Sequence, residues 1–244
     1  MKAKSLLIIL LVLGMGYATK SQTQFAGWLA TFQNYKLSSK TGFYFDAQWR
    51  STAQVRQMNA LLLRPGFNYY FTPALTGTVG YAFIPQQRIA GGVTGYLPEH
   101  RVWEQMVFTH TVKAHHKSVA AVTHRLRLEQ RFIPRHHAEG NELVKDGHHY
   151  AGRVRYFARA VVPVPSGGGG GPFSKGVFAA LQNEIFFHTA DGGSFDQNRA
   201  YVAAGYRMSP QFDVEMGYMN QYISGAGSNS INNHILQVAT YIRL

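Results

Sequence analysis

Phe43-Tyr44-Phe45-Asp46-Ala47-Gln48-Trp49-Arg50 alternates between two kinds of side chain. Phe43, Phe45, Ala47 and Trp49 share one parity, and Asp46, Gln48 and Arg50 share the other. A β-strand sends successive side chains to opposite faces, so this stretch has one greasy face and one wet face. Eleven short segments follow one another from Phe25 to Leu244, and most alternate in the same way. A soluble sandwich also alternates, but it hides its greasy face against a second sheet. Here the greasy face is rich in large aromatics and the wet face is rich in Arg. Lipid outside and a polar lumen inside would require that arrangement. The expected fold class is all-β, a transmembrane antiparallel β-barrel of about 10–12 strands.

The N-terminus agrees. Met1-Lys2-Ala3-Lys4 is a short basic start, and residues 6–13 are an unbroken apolar run. Thr19-Lys20-Ser21 puts small residues three and one before a cut ahead of Gln22. Residues 1–21 are therefore expected to be a signal peptide and residues 22–244 the barrel, located in the cell outer membrane. No later stretch approaches the length of a spanning helix, and a membrane protein without helices must close its sheet. The chain has no Cys, which excludes disulfides, a lipid-anchored Cys and a thiolate metal site. Its formal charge is +12, falling to +9 without Lys2, Lys4 and Lys20 of the leader. A secreted chain seldom meets nucleic acid, so the expected partners are outer-membrane lipids, lipopolysaccharide included, and small anionic solutes.

Three connections repeat a pattern of aromatic, variable, apolar, hydroxyl and turn residue. They are Tyr35-Lys36-Leu37-Ser38-Ser39-Lys40, Tyr69-Tyr70-Phe71-Thr72-Pro73-Ala74 and Tyr206-Arg207-Met208-Ser209-Pro210-Gln211. Ser and Thr bond nearby backbone, and Pro presets the turn. These are assigned to the periplasmic side, with 113–118 and 163–175. Residues 86–98, 133–149, 189–196 and 223–232 become outer loops. Eleven segments leave the parity open, because bacterial barrels have even strand numbers.

The wet faces carry the candidate site. Arg125, Arg127, Glu129 and Arg131 share one face, as do Arg153, Arg155 and Arg159. Glu184, Asp213 and Glu215 face the same way from later segments, with Arg50, Arg64, Arg199 and Arg243. One reading is structural, with Arg–carboxylate ladders filling the lumen. The other is an anion-lined pore, since inward Arg outnumbers inward carboxylate. The narrow width of so few strands favours the filled lumen. One segment sorts badly: Arg101 and Gln105 share parity with Trp103 and Val107, and although a bulge near Trp103 would restore the phase, the sequence shows no sign of one.

Other chemistry is weak. The pairs His115-His116, His136-His137 and His148-His149 lack metal-ligand spacing, so no metal and no cofactor are expected. A lipase would need Ser, His and a carboxylate in reach; His110, His124 and His234 are expected to point outward, but no Gly-x-Ser-x-Gly elbow occurs. Glycine runs at 91–92 and 167–171 lack a following Lys-Ser or Lys-Thr. The expectation is a barrel without catalytic residues. An outer-membrane lipid-modifying enzyme and a soluble periplasmic barrel for an apolar ligand are the alternatives.

Several stretches resemble a known family. They include Trp28, the Tyr35-Lys36-Leu37 turn, Arg64-Pro65-Gly66, Gly80-Tyr81, His100-Arg101-Val102-Trp103-Glu104-Gln105 and His124-Arg125-Leu126-Arg127-Leu128-Glu129-Gln130-Arg131. Asn183-Glu184, Phe195-Asp196-Gln197-Asn198-Arg199 and Gly205-Tyr206 complete the set. Together they are similar to the bacterial outer-membrane β-barrel proteins grouped as domain of unknown function 2490. That resemblance implies an outer-membrane barrel and carries no assigned activity.

Overall fold

In a computed structural model of the chain, the alternation of residues 43–50 becomes two faces of one strand. Tyr44, Asp46 and Gln48 are buried, while Phe43 is exposed. The structure describes residues 22–52, 54–164, 175–190, 192–225 and 230–244. The leader expected at 1–21 and the glycine run at 167–171 lie outside them.

The described residues form eleven strands. They are β1 (Gln22–Lys36), β2 (Thr41–Thr52), β3 (Gln57–Tyr70), β4 (Leu75–Ala90), β5 (Val93–Ala114) and β6 (Lys117–Glu139). β7 (Glu142–Pro163), β8 (Gly176–His188), β9 (Phe195–Ser209), β10 (Phe212–Ile223) and β11 (Ile231–Arg243) follow. Each strand pairs antiparallel with the next, and β1 pairs with β11 to close a barrel. That closing pair is parallel, running in register from Gln22↔Ile231 to Asn34↔Arg243. The odd count therefore needs neither a missing strand nor a returning segment. An odd number of strands joined by hairpins leaves its first and last members pointing the same way, and a parallel ladder joins them.

Each of the three repeated turns uses its hydroxyl. Ser38 Oγ accepts from the Thr41 amide at 3.0 Å, Thr72 Oγ1 from Leu75 at 3.0 Å, and Ser209 Oγ from Gln211 at 3.2 Å. All three lie at one end of the barrel, called here the turn end. At the other, loop end, two expected loops are strands instead. β4 and β5 stay paired as far as Ala90↔Val93, and β6 and β7 as far as Glu139↔Glu142. The tight turn Gly91-Gly92, with φ of +53° and +81°, makes the first extension possible, because a two-residue hairpin wants left-handed residues. These hairpins project beyond the barrel wall.

β5 is also corrected. Its only register shift against β6 lies between Val112 and Lys113, not near Trp103. Glu99, Arg101, Trp103 and Gln105 are all buried on the inner face. Room for the indole comes from Gly66 and Gly80. A Cβ at Gly66 would lie 2.9 Å from the ring, and one at Gly80 would overlap it.

The molecule is inverted relative to a soluble protein. Every strand exposes a large apolar side chain, among them Leu29, Phe43, Phe67, Val79, Met106, Leu126, Tyr156, Val177, Val202, Met216 and Leu236. The interior holds two apolar clusters, one around Trp28, Tyr201 and Met219 and one around Tyr44, Leu62 and Trp103. Between them lie buried charges.

Candidate functional site

The inner face of β6 sets the site. Alternation puts Arg125, Arg127, Glu129 and Arg131 in one inward row. The antiparallel register then places Glu129 opposite Arg153 and Arg127 opposite Arg155. Two like charges directly opposed destabilise a sheet. The structure eases this, without removing it, by turning the two guanidinium groups to different partners. Arg155 reaches Glu129 at 2.5 Å and Glu184 at 2.7 and 3.1 Å. Arg127 donates from Nε and Nη2 to Gln105 at 3.0 and 2.6 Å and stacks 4.4 Å from the Trp103 ring centre.

The result is a lattice in which most carboxylates serve several arginines. Near the loop end, Glu99 accepts from Arg101 and Arg131, each at 2.7 Å, and Arg88 approaches at 3.5 Å. Glu129 accepts from Arg153 at 2.7 and 3.0 Å, from Arg101 at 3.2 Å, and lies 4.0 Å from Arg127. Arg153 also donates to Asp196 at 3.1 Å. Glu184 accepts from Arg125 at 2.7 Å and lies 3.7 Å from Arg199. Across the barrel, Asp46 accepts from Arg64 at 2.6 Å and from the Tyr44 hydroxyl at 2.7 Å. Toward the turn end, Glu215 is held by Arg159, by the Tyr201 hydroxyl at 3.0 Å and by Tyr241 at 3.2 Å. Asp213 accepts from Arg207 at 2.8 and 2.9 Å and from Arg243 at 2.5 Å.

Arg50 differs from these. It donates to the amide oxygen of Gln48 at 2.6 and 3.2 Å and stacks 3.9 Å from the Trp28 ring centre. No carboxylate among the described residues lies within 4.0 Å of it. Arg199 leans on the same Trp28 ring at 5.2 Å and on Phe186 at 4.7 Å. Flat aromatic faces thus take the place of carboxylates for part of the cationic excess.

Two cavities flank this group. The larger, of about 260 Å³, lies toward the loop end and is lined by Arg50, Arg64, Arg101, Arg131, Arg153, Arg155 and Arg199 against one carboxylate, Asp196. The smaller, of about 110 Å³, lies toward the turn end beside Phe32, Arg159 and Tyr241. Trp28, Arg50, Arg64, Arg155 and Arg199 line both.

All twelve candidates read from the sequence, Arg50, Arg125, Arg127, Glu129, Arg131, Arg153, Arg155, Arg159, Glu184, Arg199, Asp213 and Glu215, thus have their side-chain partners placed. The structure brings Arg125 to Arg155 together with Glu129, Glu184 and Arg199. Asp213 belongs to a separate group at the turn end. The sequence reading missed Glu99, Arg101, Trp103, Gln105 and Asp196 as members of the site. The period-2 phase of Glu99, Arg101, Trp103 and Gln105 was the signal that could have found four of them.

Histidines form no centre. Among the described residues, no three His, Asp or Glu converge as metal ligands. His115 and His116 make the two-residue turn between β5 and β6. His137 bonds Asp146 on a projecting hairpin. His124 and His234 point outward and bond Tyr156 at 2.9 Å and Tyr218 at 2.5 Å, and His110 stacks on His124 with centroids 5.5 Å apart.

The chain belongs to the family described as Protein of unknown function (DUF2490), whose model matches residues 25–232. It is similar to an uncharacterized protein of Methylorubrum extorquens, 25% identical over 206 residues, covering 82% of this chain and 80% of that protein. Among solved structures it is similar to the NanC porin, at 9% identity and a TM-score of 0.48, over 90% of this chain and 98% of that one.

Proposed function

We propose that this protein spans the outer membrane as a barrel braced from within, has no catalytic role, and leaves no open channel through its centre. The inversion of the molecule carries this reading. Arg127 and Glu129 are 1% and 2% exposed, while Leu128, between them in the chain and on the opposite face of the strand, is 43% exposed. Contiguous apolar surface around a whole barrel has no place in water, and charge inside has no place without partners. Both are accommodated if lipid surrounds the wall. Lipopolysaccharide and other outer-membrane lipids are then its partners. Arg135 and Lys145 on the projecting hairpin between β6 and β7 would face anionic headgroups.

A second reading, a narrow path for small anions, draws support from the two cavities that share Arg50, Arg64, Arg155 and Arg199. Planar-bilayer recording on purified, refolded protein separates the two. The braced barrel inserts without resolvable current steps. Anion-selective steps that reverse selectivity in Arg50→Glu would establish the path instead.

A further inference from the structure

We propose that the loop-end cavity is a binding site for a small, hydroxyl-bearing phosphate monoester, such as a hexose phosphate. Three observations support this, and the first is charge. Of the seven arginines lining the cavity, Arg50 contacts no carboxylate, and the other six share five: Asp46, Glu99, Glu129, Glu184 and Asp196. At least two positive charges remain without a counter-charge. The true excess is larger, because Arg88, Arg125 and Arg127 draw on the same carboxylates. A phosphate monoester carries between one and a half and two negative charges near neutral pH, roughly the minimum required.

The second is valence. Nη1 of Arg50 makes no hydrogen bond among the described residues, since both bonds to Gln48 come from Nε and Nη2. Arg199 spends Nη2 and Nε on the neutral amides of Gln197 and Gln221, at 3.1 to 3.4 Å, and its Nη1 meets Glu184 only at 3.7 Å, so Nη1 is the edge left for a ligand. Both groups line the cavity and are held against Trp28, so their orientation is set before any ligand arrives. A planar fork of this kind matches phosphate oxygens two at a time.

The third is the rest of the lining. Asn59, Gln86, Gln197, Gln221 and Asn233 add neutral amides around the arginines. Amides both donate and accept, so they suit hydroxyl groups rather than a bare ion. A volume of about 260 Å³ is near the lower end of small-molecule sites. The same phosphate chemistry also occurs on lipid headgroups. A headgroup anchored in the surrounding bilayer would have to cross the barrel rim to reach Arg50, which favours the soluble ester.

The test uses full-length protein refolded in neutral detergent and titrated calorimetrically with glucose 1-phosphate. Expected is saturable binding that glucose does not reproduce, and that micellar lipid A does not displace. Arg50→Gln and Arg199→Gln should each weaken it at least tenfold. Neither leaves a carboxylate without a partner, because Glu184 keeps Arg125 and Arg155, so both variants should fold. Arg243→Gln at the turn end should bind as the parent does. Displacement by lipid A would move the site to a headgroup and overturn the soluble-ester assignment. No binding in the millimolar range, or affinity unchanged in both cavity variants, would overturn the site itself. Bilayer conductance is read separately, so a conducting protein that still binds would sink the braced-barrel reading alone.

Discussion

Replacing Glu129 by Gln removes one charge from the middle of the lattice and keeps its shape. The parent carboxylate accepts four hydrogen bonds, at 2.5, 2.7, 3.0 and 3.2 Å, from Arg155, Arg153 and Arg101. Breaking a buried ion pair by removing one partner costs about 3–5 kcal/mol, because the other charge stays buried. Here each arginine keeps a second partner: Arg101 keeps Glu99, Arg153 keeps Asp196 and Arg155 keeps Glu184. The cost should therefore lie near the lower bound, at about 3 kcal/mol. Arg127→Met is the matched control. Arg127 is as deeply buried, but its close acceptor is the neutral oxygen of Gln105. Its loss gives up a cation–π contact and leaves one acceptor unpaired, while relieving repulsion with Arg155 opposite. The net should be about 1 kcal/mol. The two variants should differ by about 2 kcal/mol, roughly thirty-fold in the unfolding equilibrium. Urea titration in lipid vesicles, followed by tryptophan fluorescence, measures this. Equal losses in the two variants would show that the carboxylates do not organise the interior, and the lattice argument would fail.

Other expectations follow from the wall and the turns. Phe45→Arg and Leu126→Arg put charge on the outward face and should each cost about 2–4 kcal/mol if near the bilayer midplane, read as folded fraction on unheated gels. Gly80→Val drives a side chain into the Trp103 ring and against the Pro65 carbonyl, 2.6 Å from the added Cβ, and should destabilise by about 1–3 kcal/mol; Trp103→Leu in the same chain relieves only the ring clash and should restore part of it in the urea assay. The β5–β6 turn holds His115 at φ +47° and His116 at φ +65°. Left-handed backbone costs a non-glycine residue about 1–2 kcal/mol, so His115→Asn with His116→Gly should raise the thermal midpoint by a matching amount.

The inward parity of β2, β6 and β7 was legible because polar and apolar residues alternate over most of their length, despite the inward Phe157 and the outward Gln130. β5 broke the reading by putting an indole among charges. The physical reason is visible once the fold is known: Arg127 lacks a close carboxylate and uses the Trp103 face instead. The hairpin extensions carried their turn signals, Gly91-Gly92 and Gly140-Asn141, in plain view. Their length, polarity and glycines made those stretches read as loop, although Pro85 and Pro98 lie opposite each other in the paired hairpin. Pairing within the site could not be read at all. Arg125 on β6 reaches Glu184 on β8, past β7. That choice depends on distances across the lumen, and strand parity says nothing about them.

Closure and the cavity are one event. Trp28 belongs to β1, Arg50 to β2 and Arg199 to β9, and both guanidinium groups stack on the Trp28 face. The β1–β2 hairpin sets Trp28 opposite Arg50, but β1 is brought toward β9 and Arg199 only by pairing with β11, at the far end of the chain. Until that parallel ladder forms, Arg50 and Arg199 have no common aromatic floor, and the cavity has an open side. A ligand that needs both arginines therefore binds the closed barrel and not the open sheet. By mass action it must stabilise closure, by about 2.7 kcal/mol at a concentration one hundred times its dissociation constant. Glucose 1-phosphate at that level should raise the urea midpoint of the parent protein. It should do so far less in Arg50→Gln, whose barrel closes on the same ladder without the anion site. A midpoint that rises equally in both proteins would mean that the ester acts elsewhere on the molecule.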